Sequence, residues 1–322
     1  MGTNHLDRFR HFSTYSDPGG YAFLYEGLPT TPEGISQIIH TQLIHPAAAR
    51  ATGIKLTNEQ ERDELNLLTV TEILTKLQQR RPTGLSTDRK PDQRVVTNCR
   101  RHALIMASVL KSQGVPARLR CGFAPYLKDE FSCDHTVLEA WIDERWRLMD
   151  ADATNEYVRD RGYNFDVYDM PPEMFNLGGE AWLRARQRLD PAERHGIPDG
   201  RRGWPFLHTA LIRDMLALFG QEVAVWTRPQ FKSMPDEKAQ PTLHRMAELT
   251  AAPDRNWDEL KQLYRMIDVP TKPRQEPDPS IQSLLASHIE KKPVKADKVI
   301  SKKVRIHNDR RAKLREVRRS NG

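Results

Sequence analysis

A chain of 322 residues has room for one large domain or two modest ones around a real core. Its apolar share of 38% is low against 29% charged residues, so part of the chain is expected to stay unpacked, and no run approaches the roughly 18 apolar residues of a membrane-spanning helix. The net charge of +7 is concentrated in Lys291–Gly322, where seven lysines and six arginines face three acids, which leaves about −3 for residues 1–290.

Residues 1–30 read as irregular, with no apolar leader in the first twenty. Thr31-Pro32-Glu33 is a helix start, and Ile35, Ile38, Ile39, Leu43 and Ile44 fall on one face before Pro46. Thr57 opens a second, longer helix through Leu65, Ile73 and Leu77 to Arg81-Pro82. Residues 82–94 form a polar loop, and a helix over 99–113 is closed by Gly114. Three extended runs follow at 117–124, 135–143 and 145–150, with a tight turn at Glu144-Arg145. Further helices are expected after Pro171-Pro172, over His208–Phe219, Thr242–Leu249 and Asn256–Ile267. Helices flanking one antiparallel run argue an α+β domain over 1–268, with its core at about 82–152. Prolines 270, 273, 277 and 279 mark a linker over 269–290, with a short helix at Ser280–Ile289, before a basic, disordered tail at 291–322. That tail suits weak polyanion binding, and its lack of aromatic residues argues against sequence-specific readout.

The chemistry gathers around Cys99. It stands in the first turn of a helix after Asn98, a good N-cap, where the helix dipole favours a thiolate. Arg100 and Arg101 act in the same sense. His135 on one strand and Asp150 at the end of the next supply the other parts of a Cys-His-Asp triad. In that arrangement His135 is the base and later the acid, and Asp150 holds its tautomer; Asp152 is the fallback for the acid. Other residues are weighed against them. His102 lies three positions along the helix from Cys99, while His40 and His45 read as packed or exposed. Gln93, with the Cys99 N–H, is a candidate oxyanion donor. Cys121 and Cys133 have no CxxC or histidine spacing for a metal and read as buried thiols. Three cysteines make no disulfide framework and suit a reducing cytoplasm. Gly19-Gly20 and Gly178-Gly179 lack the context of a phosphate loop.

Asn98-Cys99-Arg100, Gly114-Val115-Pro116-Ala117-Arg118, Asp134-His135 and Trp146-Arg147-Leu148-Met149-Asp150 together resemble the transglutaminase-like core, the Cys helix packed on an antiparallel sheet as in papain. Asp17-Pro18-Gly19, Leu43-Ile44-His45, Leu211-Ile212-Arg213-Asp214 and Val225-Trp226 are similar to a bacterial group of transglutaminase-like proteins. The sequence departs from that group at Thr136, where tryptophan is usual, and at Arg101, where aspartate is common; Thr136 is expected to change a wall near the imidazole. The resemblance implies an acyl-transfer enzyme. Cys99 would take an acyl group from a peptide, amide or thioester and pass it to water or an amine, with no metal or organic cofactor. The alternative is a catalytically inactive binding module, associated with nucleic acid through the tail.

Overall fold

The computed structural model describes residues 4–231 and 236–268; the expected linker, its short helix and the basic tail lie outside them. The fold is α+β, with helices before and after one antiparallel sheet. Helix α1 (Pro32–Gln42) starts as expected: Thr31 accepts the Gly34 N–H, and Pro32 follows it. Leu43 and Ile44 do not continue that helix. They form β1 (Leu43–Ile44), paired in parallel with β2 (Val95–Val96). Pro46 is the reason, since it holds His45 extended and the chain must leave helical dihedrals before it.

The single helix expected after Thr57 is two. They are α2 (Asn58–Glu64) and α3 (Val70–Arg80), opened by capping boxes of Thr57 with Gln60 and Thr69 with Glu72. The break between them is held from outside. Arg100 Nη2 donates to the Leu68 carbonyl at 2.9 Å, and Arg101 binds the carbonyls of Leu67 and Leu65. Backbone acceptors that a continuous helix would use internally are thereby taken by side chains.

Helix α3 and α1 seal one face of α4 (Cys99–Ser112), which ends where Gly114 takes φ 81°. The other face of α4 packs on β3 (Ala117–Ala124) and β4 (Ser132–Ile142), with Leu104, Met106, Leu110, Leu119 and Leu138 in the shared core. The turn to β5 (Arg145–Met149) is Asp143-Glu144, one residue earlier than expected. Both carry positive φ, 50° and 59°, the turn geometry that matches strand twist. After β5 come α5 (Asn155–Asp160), β6 (Asn176–Leu177), α6 (Gly178–Arg186), β7 (His195–Gly196), α7 (Trp204–Leu218), α8 (Asp236–Ala251) and α9 (Trp257–Tyr264). The sheet runs β5-β4-β3-β6, and β7 joins the start of β4 in parallel.

Helices α6, α7 and α8 build a second core around Trp182, Leu211, Met215 and Met246. Gly179 is where α6 meets α8: a Cβ there would lie 2.4 Å from Thr250 Oγ1 and 2.6 Å from the Ala247 carbonyl. Helix α7 lies along β3. Its Asp214 accepts the Cys121 N–H at 2.8 Å, in place of a neighbouring strand, and binds Arg120 through both oxygens. Arg120 and Arg118 share Glu139, and Arg118 also binds Asp254. No helix among the described residues is long and apolar enough to cross a membrane.

Candidate active site

The approach to Cys99 is fixed by the small parallel sheet. β2 is followed by Thr97, whose N–H donates to the Ile44 carbonyl at 2.9 Å, and Asn98 then turns the chain into α4. Asn98 stands at the N-cap with extended dihedrals, but its side chain makes no capping bond, contrary to expectation. Cys99 is half-buried, whereas Cys121 and Cys133 are buried. The two arginines after it lie within electrostatic reach of the Cys99 sulfur, and they have further partners. Their guanidiniums are enclosed and turned to main-chain oxygens: Arg101 to the α2–α3 break, Arg100 to that break and to the Glu222 carbonyl. Burial, with the Arg100 charge beside it, disfavours the Arg101 guanidinium cation and brings it down to about 9.

His135 is where two of the sequence candidates meet the third. Its Nε2 lies 2.8 Å from Asp150 Oδ2, and Cys99 hydrogen-bonds to the same ring, for which Nδ1 is the nitrogen left. Burial opposes charge on this imidazole, but Asp150 and the Cys99 sulfur together outweigh it and hold His135 well above its usual range. Asp150 is fully enclosed. Burial disfavours its charge, yet His135, the Tyr126 hydroxyl at 2.6 Å and the N–H groups of Asp152 (2.8 Å) and Ala153 (3.1 Å) keep it well below the ordinary carboxylate range. Every donor an enclosed carboxylate needs is therefore present.

Asp152, the fallback acid, binds elsewhere. Its Oδ1 is 3.2 Å from His102 Nδ1 and its Oδ2 is 3.9 Å from His45 Nε2. His40 packs its ring 5.4 Å from that of His102. Gln93 turns its amide oxygen to Arg81 and to the Lys90 N–H. Thr136 forms no accessible wall; it is buried, with its hydroxyl 3.9 Å from the Cys121 sulfur.

Two residues escaped the sequence reading, and a third was read only as part of a motif. Tyr126 follows Pro125 in a loop, and nothing local marks it as the donor to Asp150. Tyr157 on α5 is 41% exposed and feels the charges of Asp152, His135 and Asp150. Arg213 on α7 binds both oxygens of Asp134 at 2.6 Å and the Val225 carbonyl at 2.7 Å, which braces the residue before His135. The sequence signal for it was the Leu211–Asp214 motif, whose purpose only the folded chain explains.

Among the described residues no group of three or more His, Cys, Asp or Glu is placed to hold a metal ion. Residues 57–151 match the family model of the transglutaminase-like superfamily, a segment that takes in α2, α3 and α4 and the strands β3, β4 and β5. A solved structure, that of a candidate cysteine protease from Cytophaga hutchinsonii, is similar at 16% identity over 47% of this chain and 43% of its own, with a TM-score of 0.32. No curated protein matches the chain.

Proposed function

We propose that this chain, whose residues 57–151 match the model of the transglutaminase-like superfamily, is a cysteine-dependent acyl-transfer enzyme. The supporting observation is the His135 ring, shared between Cys99 and an Asp150 carboxylate that has all its donors.

The roles follow from the positions. Cys99 Sγ attacks the acyl carbon of an amide or thioester, and its proton passes to His135 Nδ1. The carbonyl oxygen gains charge beside the N-terminus of α4, where the Cys99 N–H is available to a developing oxyanion. When the carbon–nitrogen or carbon–sulfur bond breaks, His135 returns the proton to the departing amine or thiol, and a Cys99 thioester remains. Water or an amine then attacks that thioester, giving its proton to His135 and releasing Cys99. Asp150 keeps Nε2–H as the donor toward itself, so Nδ1 is always the nitrogen that exchanges protons with sulfur.

Iodoacetamide labelling near pH 6, mapped by mass spectrometry, tests this directly. Cys99 is expected to label first, because burial pushes the Cys121 and Cys133 thiols up to about 12. His135→Ala slows that labelling, and Cys99→Ala folds normally without acyl transfer or hydrolysis. Preferential labelling of Cys121 or Cys133 rejects the proposal and returns the fold to an inactive binding module.

A further inference from the structure

The acyl-transfer reading makes no use of a second set of ionisable groups, formed by His40, His45, His102 and Asp152. They come from α1, from the residue before Pro46, from α4 and from the segment after β5. All converge on residues 151–152. His102 Nδ1 hydrogen-bonds to the Asn98 carbonyl at 3.2 Å and lies 3.2 Å from Asp152 Oδ1 as an ion-pair partner, so the ring stands between the start of the nucleophile's helix and the acid-bearing segment. His45 Nδ1 accepts the Ala47 N–H, which makes its Nε2 the donor facing Asp152. His40 bonds to the Ala151 backbone and packs against the His102 ring. From Asp152 the contacts continue: its own N–H donates to Asp150 Oδ1, Asp150 Oδ2 binds His135, and His135 meets Cys99 on the same helix that carries His102. The contacts form a closed circuit that begins and ends in the first turn of α4.

We propose that His102 and Asp152 are positioning residues that tie the Cys99 helix to the Asp150 segment and so set the distance between sulfur and imidazole. This rests on the acyl-transfer reading. Neither residue takes a proton from substrate in that scheme. Their effect passes through Asp150 to the orientation of His135, as outer partners orient the inner ligands of a metal site.

The test uses the full chain, with iodoacetamide as probe and labelling at Cys99 followed at pH 6 and pH 9. At pH 6 hydroxide is scarce and labelling reads the help of a neighbouring base; at pH 9 hydroxide can take a thiol proton in place of that base. Asp152→Ala and His102→Leu are each expected to slow pH 6 labelling about tenfold, with little change at pH 9. The double variant is no slower than either single one, because both break the same link. His102→Asn, whose amide can replace the Nδ1–H, restores labelling to within about threefold of the natural protein. Should Asp152→Ala fail to fold, Asp152→Asn keeps the shape, removes the charge and is expected to slow pH 6 labelling about threefold. Equal slowing at both pH values, or unchanged labelling in folded Asp152→Asn and His102→Leu, overturns the proposal. His135→Ala separates the two levels. If it slows labelling while the Asp152 and His102 variants do not, only the positioning role is lost. If it has no effect, the acyl-transfer reading itself fails.

Discussion

Tyr126 shows how the acid of the site is kept in place. Its hydroxyl donates to Asp150 Oδ2 at 2.6 Å, and both residues are enclosed. Tyr126→Phe removes one donor from a carboxylate that cannot reach water, so a loss of about 1–3 kcal/mol is expected in urea unfolding. Proton linkage gives a second test. His135 has its folded value raised above 6.5, so its contribution to stability is complete below about pH 6.5 and fades as pH rises through the raised value. Asp150 has its folded value depressed below 3.8, so its contribution is present above about pH 4 and fades as pH falls toward the depressed value. The melting-temperature gap between the natural protein and His135→Asn is therefore expected to be widest between about pH 4 and 6.5 and to shrink toward alkaline pH. Cys99, His135 and Asp150 were legible because each sits in a short motif with its own signal. Tyr126 and the partners of Asp152 were not, because they become neighbours only when the chain returns. The two arginines do act on the Cys99 sulfur through their charge, but their carbonyl partners were not legible, because those come from distant parts of the chain.

Elements divide in the same way. The start of α1 was written in Thr31-Pro32, and the end of α4 in Gly114, because capping is local. The gap between α2 and α3 was written only in part: the Thr69–Glu72 capping box that opens α3 is local, but the Arg100 and Arg101 side chains that take the carbonyls of the gap lie more than thirty residues downstream. Close packing between helices is similarly invisible until they meet. Gly179→Ala would press a methyl group into Thr250 and the Ala247 backbone. It is expected to cost about 1–3 kcal/mol as α6 and α8 shift apart. Gly84→Ala is the control: a Cβ there meets nothing within 4 Å, so its midpoint in the same denaturation experiment should barely move.

At the scale of the molecule, the sheet and the second core are joined by charge as well as by apolar packing. Arg120 and Asp214 are both fully enclosed and doubly bonded to each other. Asp214→Ala leaves that guanidinium with Glu139 as its one remaining carboxylate and uncaps the Cys121 N–H, for an expected loss of about 3–5 kcal/mol by chemical denaturation. The tail offers an independent prediction from composition. With thirteen basic and three acidic residues in 291–322, retention on a nucleic-acid column should weaken steeply with added salt and vanish when those residues are deleted.

The use of Asp214 to cap β3 also has a consequence in time. During synthesis Cys99, His135 and Asp150 all leave the ribosome more than fifty residues before Asp214 does. Until α7 arrives, the Cys121 N–H has no cap and Arg120 lacks one of its two carboxylates, and Arg118 waits longer still for Asp254. A nascent chain halted there holds every reactive group before the sheet is tied to the second core. Residues 57–151, which match the family model, thus leave the Cys121 N–H and the Arg120 guanidinium without the partner that only α7 brings.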